Sequence, residues 1–582
     1  MKKLFILAMA FGLAACSTDK TEMPEVGSGD VETNYLTVNL VATPATRAVQ
    51  DADNYEDGTG KENVVTSVRF HFFYNSGDAA AVKMVGSTKQ SFLDWTADFG
   101  DEGKETPNVE KILAAHLVIE TPEGDEVPDS IVAILNPTSE KTYATLALLN
   151  EDIANYGITA ASTDFVMSNS VYAKGGKIEA VKVTDNLRST KEAALASPVT
   201  IYVERVVAKT SLTVGLNPAG ETAGVYETAK PESTNGAEDG KDYTFNGEKI
   251  YVKFLGWNVT CHTAKSRLMK EINAGWNSTL FGASEPWNYD PYFRSFWAVN
   301  PTLKWMEKTA EDDWAEDTDY IFGSFNKAGD ANRANAIEVG ASTYMQENAS
   351  DSYDNGTNPA HPTQVIIAAQ LCDEKGDYIE FAEYGFQQFA LTNADNKNPL
   401  IINYANIASL YTRVDSQEGD VTKQTYTKVS PDDLELKTAT QVGKADALTD
   451  GRYYVYVQLK ADKFAADKWT LSNADNSAYA TTIDEINAEL IKLGPAKVWT
   501  NGYTYYYFDI AHLGESNGSV GVVRNHVYKS NITKLVGLGT PVFDPNETIY
   551  PEKPENEDTY LAAQIKILSW RIVNNNVELN WE

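Results

Sequence analysis

"YLTVNLVATPATRAVQDAD", Tyr35 to Asp53, places a strand and a weak point side by side. Leu36, Val38 and Leu40 alternate with Thr37, Asn39 and Val41, the period-two pattern of a half-buried strand. The strand runs into Pro44 and then Arg47, a bare arginine in a loop of small residues ahead of an acidic, Gly-containing run. A strand good enough to join a sheet therefore ends in a segment that a protease can easily cut.

The N-terminus indicates a compartment. Lys2 and Lys3 precede an apolar run from Leu4 to Leu13 that is too short for a permanent membrane helix. The run closes on Leu13-Ala14-Ala15-Cys16, and a charged start, short apolar stretch and small residues before the cut describe a secretory signal. A cysteine at the first mature position predicts a lipid anchor at Cys16, so residues 1–16 are taken as signal and lipobox. Residues 17–33 are polar and aperiodic, the composition of a tether.

A chain of 582 residues exceeds a single core, and two large or three ordinary domains are expected. A net charge of −33 argues against nucleic acid or anionic membranes as partners, since both need basic patches. Besides Cys16 only Cys261 and Cys372 remain, too few for a disulfide scaffold. Those two either pair with each other or stay as separate buried thiols.

Strand signals dominate the rest. Val64, Thr66, Val68, Phe70, Phe72 and Tyr74 alternate with Ser67, Arg69 and His71, and "SIVAILN" (Ser130–Asn136) and "VIIAAQL" (Val365–Leu371) look fully buried. Tyr453, Val455, Val457 and Leu459 form one face of another strand. Asn246-Gly247 and Asn501-Gly502 predict two tight hairpins, because Asn-Gly accepts the positive φ angles of a type I′ turn. Helical patterns are few: Lys191–Ala196, Ala264–Ala274 and Ile483–Leu493. Short strands without alternating long helices predict an all-β chain of antiparallel sandwiches. The Gly-, Pro- and Glu-rich stretch Asn217–Asp242 suggests a boundary near residue 216. The domains expected are then 48–216 and 217–543, the second holding a large irregular or helical insertion at about 275–360, dense in aromatics.

Enzyme chemistry finds no support. The six histidines include no H-E-x-x-H, Cys261-His262 has no second pair at zinc spacing, and nucleophile-elbow, P-loop and dinucleotide motifs are absent. The acidic run after Ala52 fails the EF-hand register, with Tyr55 and Val64 at ligand positions. No catalytic residue, metal or cofactor is therefore expected.

The C-terminus is the second informative place. Asp544–Tyr560 is rich in Pro and acid, like a solvated linker. After it, Leu568, Trp570 and Ile572, then Val577, Leu579 and Trp581, predict two strand-like runs around a turn at Asn574–Asn576. An apolar strand held off its domain by a linker needs a partner, and with a removable first strand it suggests strand addition between subunits. Residues 544–582 are taken as linker and donor strand.

Here the residues become familiar. "GVVRNHVYKSNITKLVGLGTPV" (Gly521–Val542), followed by an acidic linker and a Trp-containing terminal strand, resembles the fimbrillins of type V pili, more narrowly their short-fimbria major subunits; "IYVERVVAK" (Ile201–Lys209) is similar to strands closing their N-terminal domain. The resemblance implies two transthyretin-like Greek-key β-sandwich domains and export as an outer-membrane lipoprotein. It also implies cleavage between Arg47 and Ala48 by a trypsin-like surface protease. The strand of Leu36, Val38 and Leu40, within residues 17–47, would then leave, and the terminal strand of the next identical subunit would fill its groove. Anchor and tip subunits and host or bacterial adhesion receptors are the further partners implied, with a cell-surface fimbrium as the location. Two other readings stand beside the stalk: a tip or anchor subunit of the same pilus, and a monomeric glycan-binding surface lipoprotein.

Overall fold

The computed structural model describes residues 32–42, 55–80 and 90–101, 111–121, 126–156, 165–170, 180–219, 222–230, 241–271, 320–321, 336–347, 363–444, 451–510, 522–545 and 570–580, with short breaks inside some of these ranges. Among them the chain is mostly strand, in several sheets with few helices.

The first unit is built on one nine-stranded sheet. Its path runs Phe92–Trp95, Val68–Phe73, Ser130–Leu135, Met167–Asn169, Val199–Arg205, Glu32–Ala42, Lys111–Thr121, Gly100–Asp101, with Val181–Lys182 added on Ser130–Leu135. Leu36, Phe70, Leu117, Ile131 and Ile201, spread along that path, share one continuous core. Val68–Phe73 and Ser130–Leu135 are buried at every position, so the polar face expected of Val68–Phe73 is covered. Arg69 survives there by a two-pronged pair with Asp94, at 2.7 and 2.9 Å, under the ring of Phe92.

Two five-stranded sheets make the second unit. One runs Tyr55–Glu56, Trp570–Asn580, His526–Val536, Val207–Val214, Ser342–Gln346; the other runs Val225–Glu227, Tyr251–Thr260, Gln364–Cys372, Tyr503–Asp509, Thr540–Pro541. Leu212, Tyr528 and Ile532 of the first meet Val252, Trp257, Ile367 and Phe508 of the second in one core, which makes a sandwich. The strand Val207–Val214 pairs with His526–Val536, so the chain changes units between Arg205 and Val207, ahead of the boundary expected near 216. The Gly- and Pro-rich run that suggested 216 is a connection inside the second unit.

Most of the insertion expected at 275–360 lies outside the described residues. Of residues 275–360 only 320–321 and 336–347 are described, and Ser342–Gln346 is an edge strand of the sandwich. A module with its own core lies between Ala382 and Val498, bracketed by the neighbouring strands Gln364–Cys372 and Tyr503–Asp509, while the flanking Phe381 and Trp499 belong to the sandwich core. It holds the helices Pro399–Ile407 and Ile483–Ile491 around Tyr404, Val457, Trp469 and Ile486. Thr482 caps the second helix by accepting from the Glu485 amide, and Glu485 accepts from the Thr481 amide. Pro399–Ile407 was not anticipated, although Asn398 as cap and Pro399 in the first turn are its signature.

Local turn chemistry was a partial guide. Asn246-Gly247 makes the expected hairpin, with Phe245 opposite Glu248. Asn501-Gly502 has the same positive φ angles but joins strands of two different sheets. A Cβ on Gly502 would stand 2.5 Å from the Leu371 carbonyl oxygen, so this glycine serves a close crossing. Lys191–Leu195 is helical as read, whereas Ser266–Arg267, inside the expected helix Ala264–Ala274, is a short strand against Ile153–Ala154.

Candidate functional site

The first strand lies in the interior of its sheet. All eleven residues pair antiparallel with Lys111–Thr121, from Glu32 opposite Thr121 to Ala42 opposite Lys111. On the other side Val38–Ala42 run parallel to Val199–Val203. The alternation puts Leu36 and Val38 out of contact with solvent, opposite the buried Leu117 and Ala115. Burial of two such side chains contributes about 3–6 kcal/mol. The backbone of Leu40 stands beside Leu113 and Ile201, while its side chain lies outside the described residues. Cys16, Arg47 and Ala48 lie outside them too. Withdrawing this strand would leave two unpaired edges roughly two strand spacings apart, about 10 Å, the width of one replacement strand.

The terminal strand is held differently. Trp570–Asn580 is one continuous strand, not the two runs expected, and Asn574–Asn576 pair with Lys529–Asn531 where a turn was read. The apolar positions change parity between Ile572 and Val577, which in sequence imitates a turn. A partner strand of equal length satisfies the main chain through this change without a break in register, and a one-residue shift follows only between Ile532 and Lys534 of that partner, after Val577. The pairing is parallel, with Ile572, Val577 and Leu579 opposite Val527, Ile532 and Leu535. Among the described residues its outer side pairs only with Tyr55 and Glu56. From Ile572 onward that edge has no strand partner among the described residues. Leu568 and Trp581 lie outside them.

Between these two strands the units are joined by buried charge. Glu62 takes hydrogen bonds from Lys209 at 2.7 Å, from the Tyr344 hydroxyl and from the Thr59 amide. Burial pushes its carboxyl up, but these donors together outweigh it and hold the group below the usual carboxylate range. Arg205 donates to the Glu62 carbonyl (3.0 Å) and to Asn525 Oδ1 (3.2 Å). Arg524 pairs with Glu347 at 2.5 Å and donates to the carbonyls of Arg267 and Leu268. Glu204 and Lys270 stand 3.5 Å apart, both without exposed surface to speak of. None of these residues was singled out from sequence. The available signal was a charged Glu204-Arg205 inside the otherwise apolar strand "IYVERVV".

Chemistry elsewhere is sparse. Among the described residues no group of three or more His, Cys, Asp or Glu is placed to hold a metal ion. Cys372 is a buried free thiol, pushed up to about 12 by burial and by Asp373, hence inert at neutral pH. Cys261 lies outside the described residues.

Residues 497–576 match the family described as major fimbrial subunit protein type IV, fimbrillin, C-terminal. The stretch contains Gly521–Val542, the longer of the two segments that carry the resemblance, and most of the terminal strand. No curated protein matches the chain. Among solved structures, a fimbrilin from Porphyromonas gingivalis W83 is similar at 11% identity and TM-score 0.31, covering 94% of this chain and 99% of that one. A fimbrial assembly protein from Parabacteroides distasonis is similar at 11% identity and TM-score 0.25, covering 61% and 94%. The tip fimbrial protein of Porphyromonas gingivalis is similar at 11% identity and TM-score 0.26, covering 68% and 98%. Scores this low leave the fold to the sheets themselves and carry no argument about function.

Proposed function

We propose that this chain is a structural subunit of an adhesive surface fimbria, built as a polymer of identical copies by strand exchange. Residues 497–576 match the fimbrillin C-terminal family, which supports the fimbrial and cell-surface part of the reading. The observation that carries the mechanism is a pair of strands of equal length, eleven residues each, at opposite ends of the chain. One is interior, with Arg47 five residues beyond its end; the other has a nearly open edge.

In this reading the precursor is exported as a lipoprotein on Cys16, and a trypsin-like protease cuts after Arg47. The cut does not by itself expel a strand paired on both sides. It removes the covalent tie, so that an incoming strand can displace Glu32–Ala42 step by step without the two ends of the slot ever lying empty together. The incoming strand is the terminal strand of the next subunit, carrying Trp570, Ile572, Val577 and Leu579, and Leu568 and Trp581 beside them. A chain that both vacates a slot and offers a strand can continue a polymer in both directions, which favours a stalk subunit over a tip or an anchor.

Arg47→Ala tests the mechanism. Unheated surface extracts of the variant should lose the high-mass ladder on gels and keep a folded, lipidated monomer. A ladder of unchanged length would remove processing from assembly, and assembled fibres beginning at acylated Cys16 would do the same.

A further inference from the structure

The hairpin Phe381–Tyr384 to Gln387–Phe389 turns on Gly385 and Phe386, with Tyr384 paired to Gln387 across it. Both turn residues have positive φ, 56° and 64°. A two-residue turn of this kind favours Gly, Asn or Asp, and a bulky aromatic there is a genuine outlier. Phe386 is also wholly exposed, at 104% of the reference surface. One exposed apolar side chain needs no explanation. An exposed aromatic ring kept on a backbone that disfavours it does, and such outliers concentrate where a site is being held in shape.

The support beneath the ring is rigid. Phe381, at the base of the hairpin, stacks between Phe245 and Trp499 with ring centres at 5.0 and 4.7 Å. Tyr384, directly before the turn, packs on Tyr404 at 4.8 Å and donates its hydroxyl to the Leu493 carbonyl at 2.7 Å. The tip thus offers a fully exposed ring on a braced hairpin, flanked by the exposed carboxamides of Gln387 and Gln388.

The geometry points to Phe386 as a stacking platform for a neutral saccharide, displayed once per subunit. Size decides against a protein partner as the first choice. A specific protein interface needs about 800 Å² from each side, whereas one aromatic side chain supplies about 150–250 Å². That area matches one face of a sugar ring, whose C–H groups meet the electron-rich face of an aromatic ring while its hydroxyls suit carboxamides that both donate and accept. Charge narrows the class further. Gly385–Leu391 carries no ionisable side chain, in a chain of net charge −33 that repels sialylated or sulfated glycans. A single ring binds weakly, and repetition along a fibre would raise the effective affinity roughly a hundredfold or more. Only this last gain rests on the polymer reading; the site itself does not.

The test is an array of neutral and sialylated oligosaccharides probed with the full chain, wild type and Phe386→Asn, each biotinylated and displayed on streptavidin beads. Bead display supplies multivalency whether or not the protein polymerises, so failure here is separate from failure of strand exchange. Wild type should bind a subset of the neutral glycans, and Phe386→Asn should lose at least tenfold in signal. Its unfolding midpoint should hold or rise, because Asn accepts positive φ better than Phe. Equal binding by the two proteins, or no binding to any neutral glycan, overturns the assignment. A negative array together with lost adhesion of Phe386→Asn to host cells also overturns it, in favour of a protein with an apolar pocket.

Discussion

The first and terminal strands have the same length and are held in opposite ways. Glu32–Ala42 is paired along its whole length on one side and from Val38 to Ala42 on the other, and its described core residues have no exposed surface. Trp570–Asn580 is paired along one side and, among the described residues, by two residues on the other. A strand near an edge can peel away residue by residue, whereas an interior strand can leave only if its neighbours part or another strand takes its place. Under the strand exchange proposed above, the interior place would make a durable acceptor, and the near-edge strand a donor that its own subunit can release.

Deleting Ala563–Glu582 should have the largest effect. Polymer should vanish, while the truncated monomer still unfolds cooperatively, at a lower midpoint because His526–Val536 loses its parallel neighbour. If the cooperative transition disappears as well, the terminal strand is part of its own core and the contrast with the first strand is void.

Leu36→Ala, placed in the uncut Arg47→Ala chain, should cost about 2–5 kcal/mol of stability in denaturant unfolding. The same change should leave fibres assembled from processed subunits unaltered, because the residue has gone. Equal damage to both would mean that the first strand never leaves.

Acid should separate the two units. Burial, helped by Arg69, holds the His71 imidazole down at about 4, against the ordinary 6.5 of an unfolded chain. The folded state prefers neutral histidine, so this stability is complete above about pH 6.5 and is lost as pH falls toward 4, by up to about 3 kcal/mol. Asp509 in the second unit shifts the other way. Burial raises its carboxyl against a 2.7 Å hydrogen bond from Gln364, so the folded state takes up a proton more readily and acid helps. Hydrogen exchange, corrected for its intrinsic pH dependence, should therefore speed up in Val68–Phe73 and Ser130–Leu135 between pH 7 and 5, and change less in Gln364–Cys372. A uniform response would show that the buried charges at the junction make the two units one cooperative body.

Glu56→Pro should have the smallest effect. It removes a main-chain donor from the two-residue strand beside Trp570, worth about 1 kcal/mol or less. Exchange at the start of the terminal strand should rise and global stability should hardly move. A large loss would show that the outer edge is better covered than two residues imply.

How much of this was legible depends on how local the information is. Leu36 and Val38 lie in the core as their alternation demands, and "SIVAILN", "VIIAAQL" and the Val455, Val457, Leu459 face are buried where read. The Asn246-Gly247 hairpin followed from two residues whose own backbone preferences select the turn. The same dipeptide at 501–502 gave the right φ angles and the wrong partner, because an Asn-Gly turn fixes a bend and says nothing about which sheet the chain enters next. Asn574–Asn576 misled in the same manner: asparagine suits turns, but a long parallel neighbour supplies more main-chain hydrogen bonds than a turn can.

The amino-acid sequence by itself determined that this is a strand-built, acidic chain with a strand and a bare arginine near one end and an apolar strand at the other. Only the tertiary structure decided that the first strand is interior and the terminal one nearly an edge, that the chain passes from one sheet system to the next before Val207, and that residues between Ala382 and Val498 build a core of their own. The reason is the range of the interactions. Alternation encodes a strand and its buried face within a few residues. The neighbour is chosen by pairings such as Thr210 with Tyr528, 318 positions apart, whose free energy no window of sequence contains.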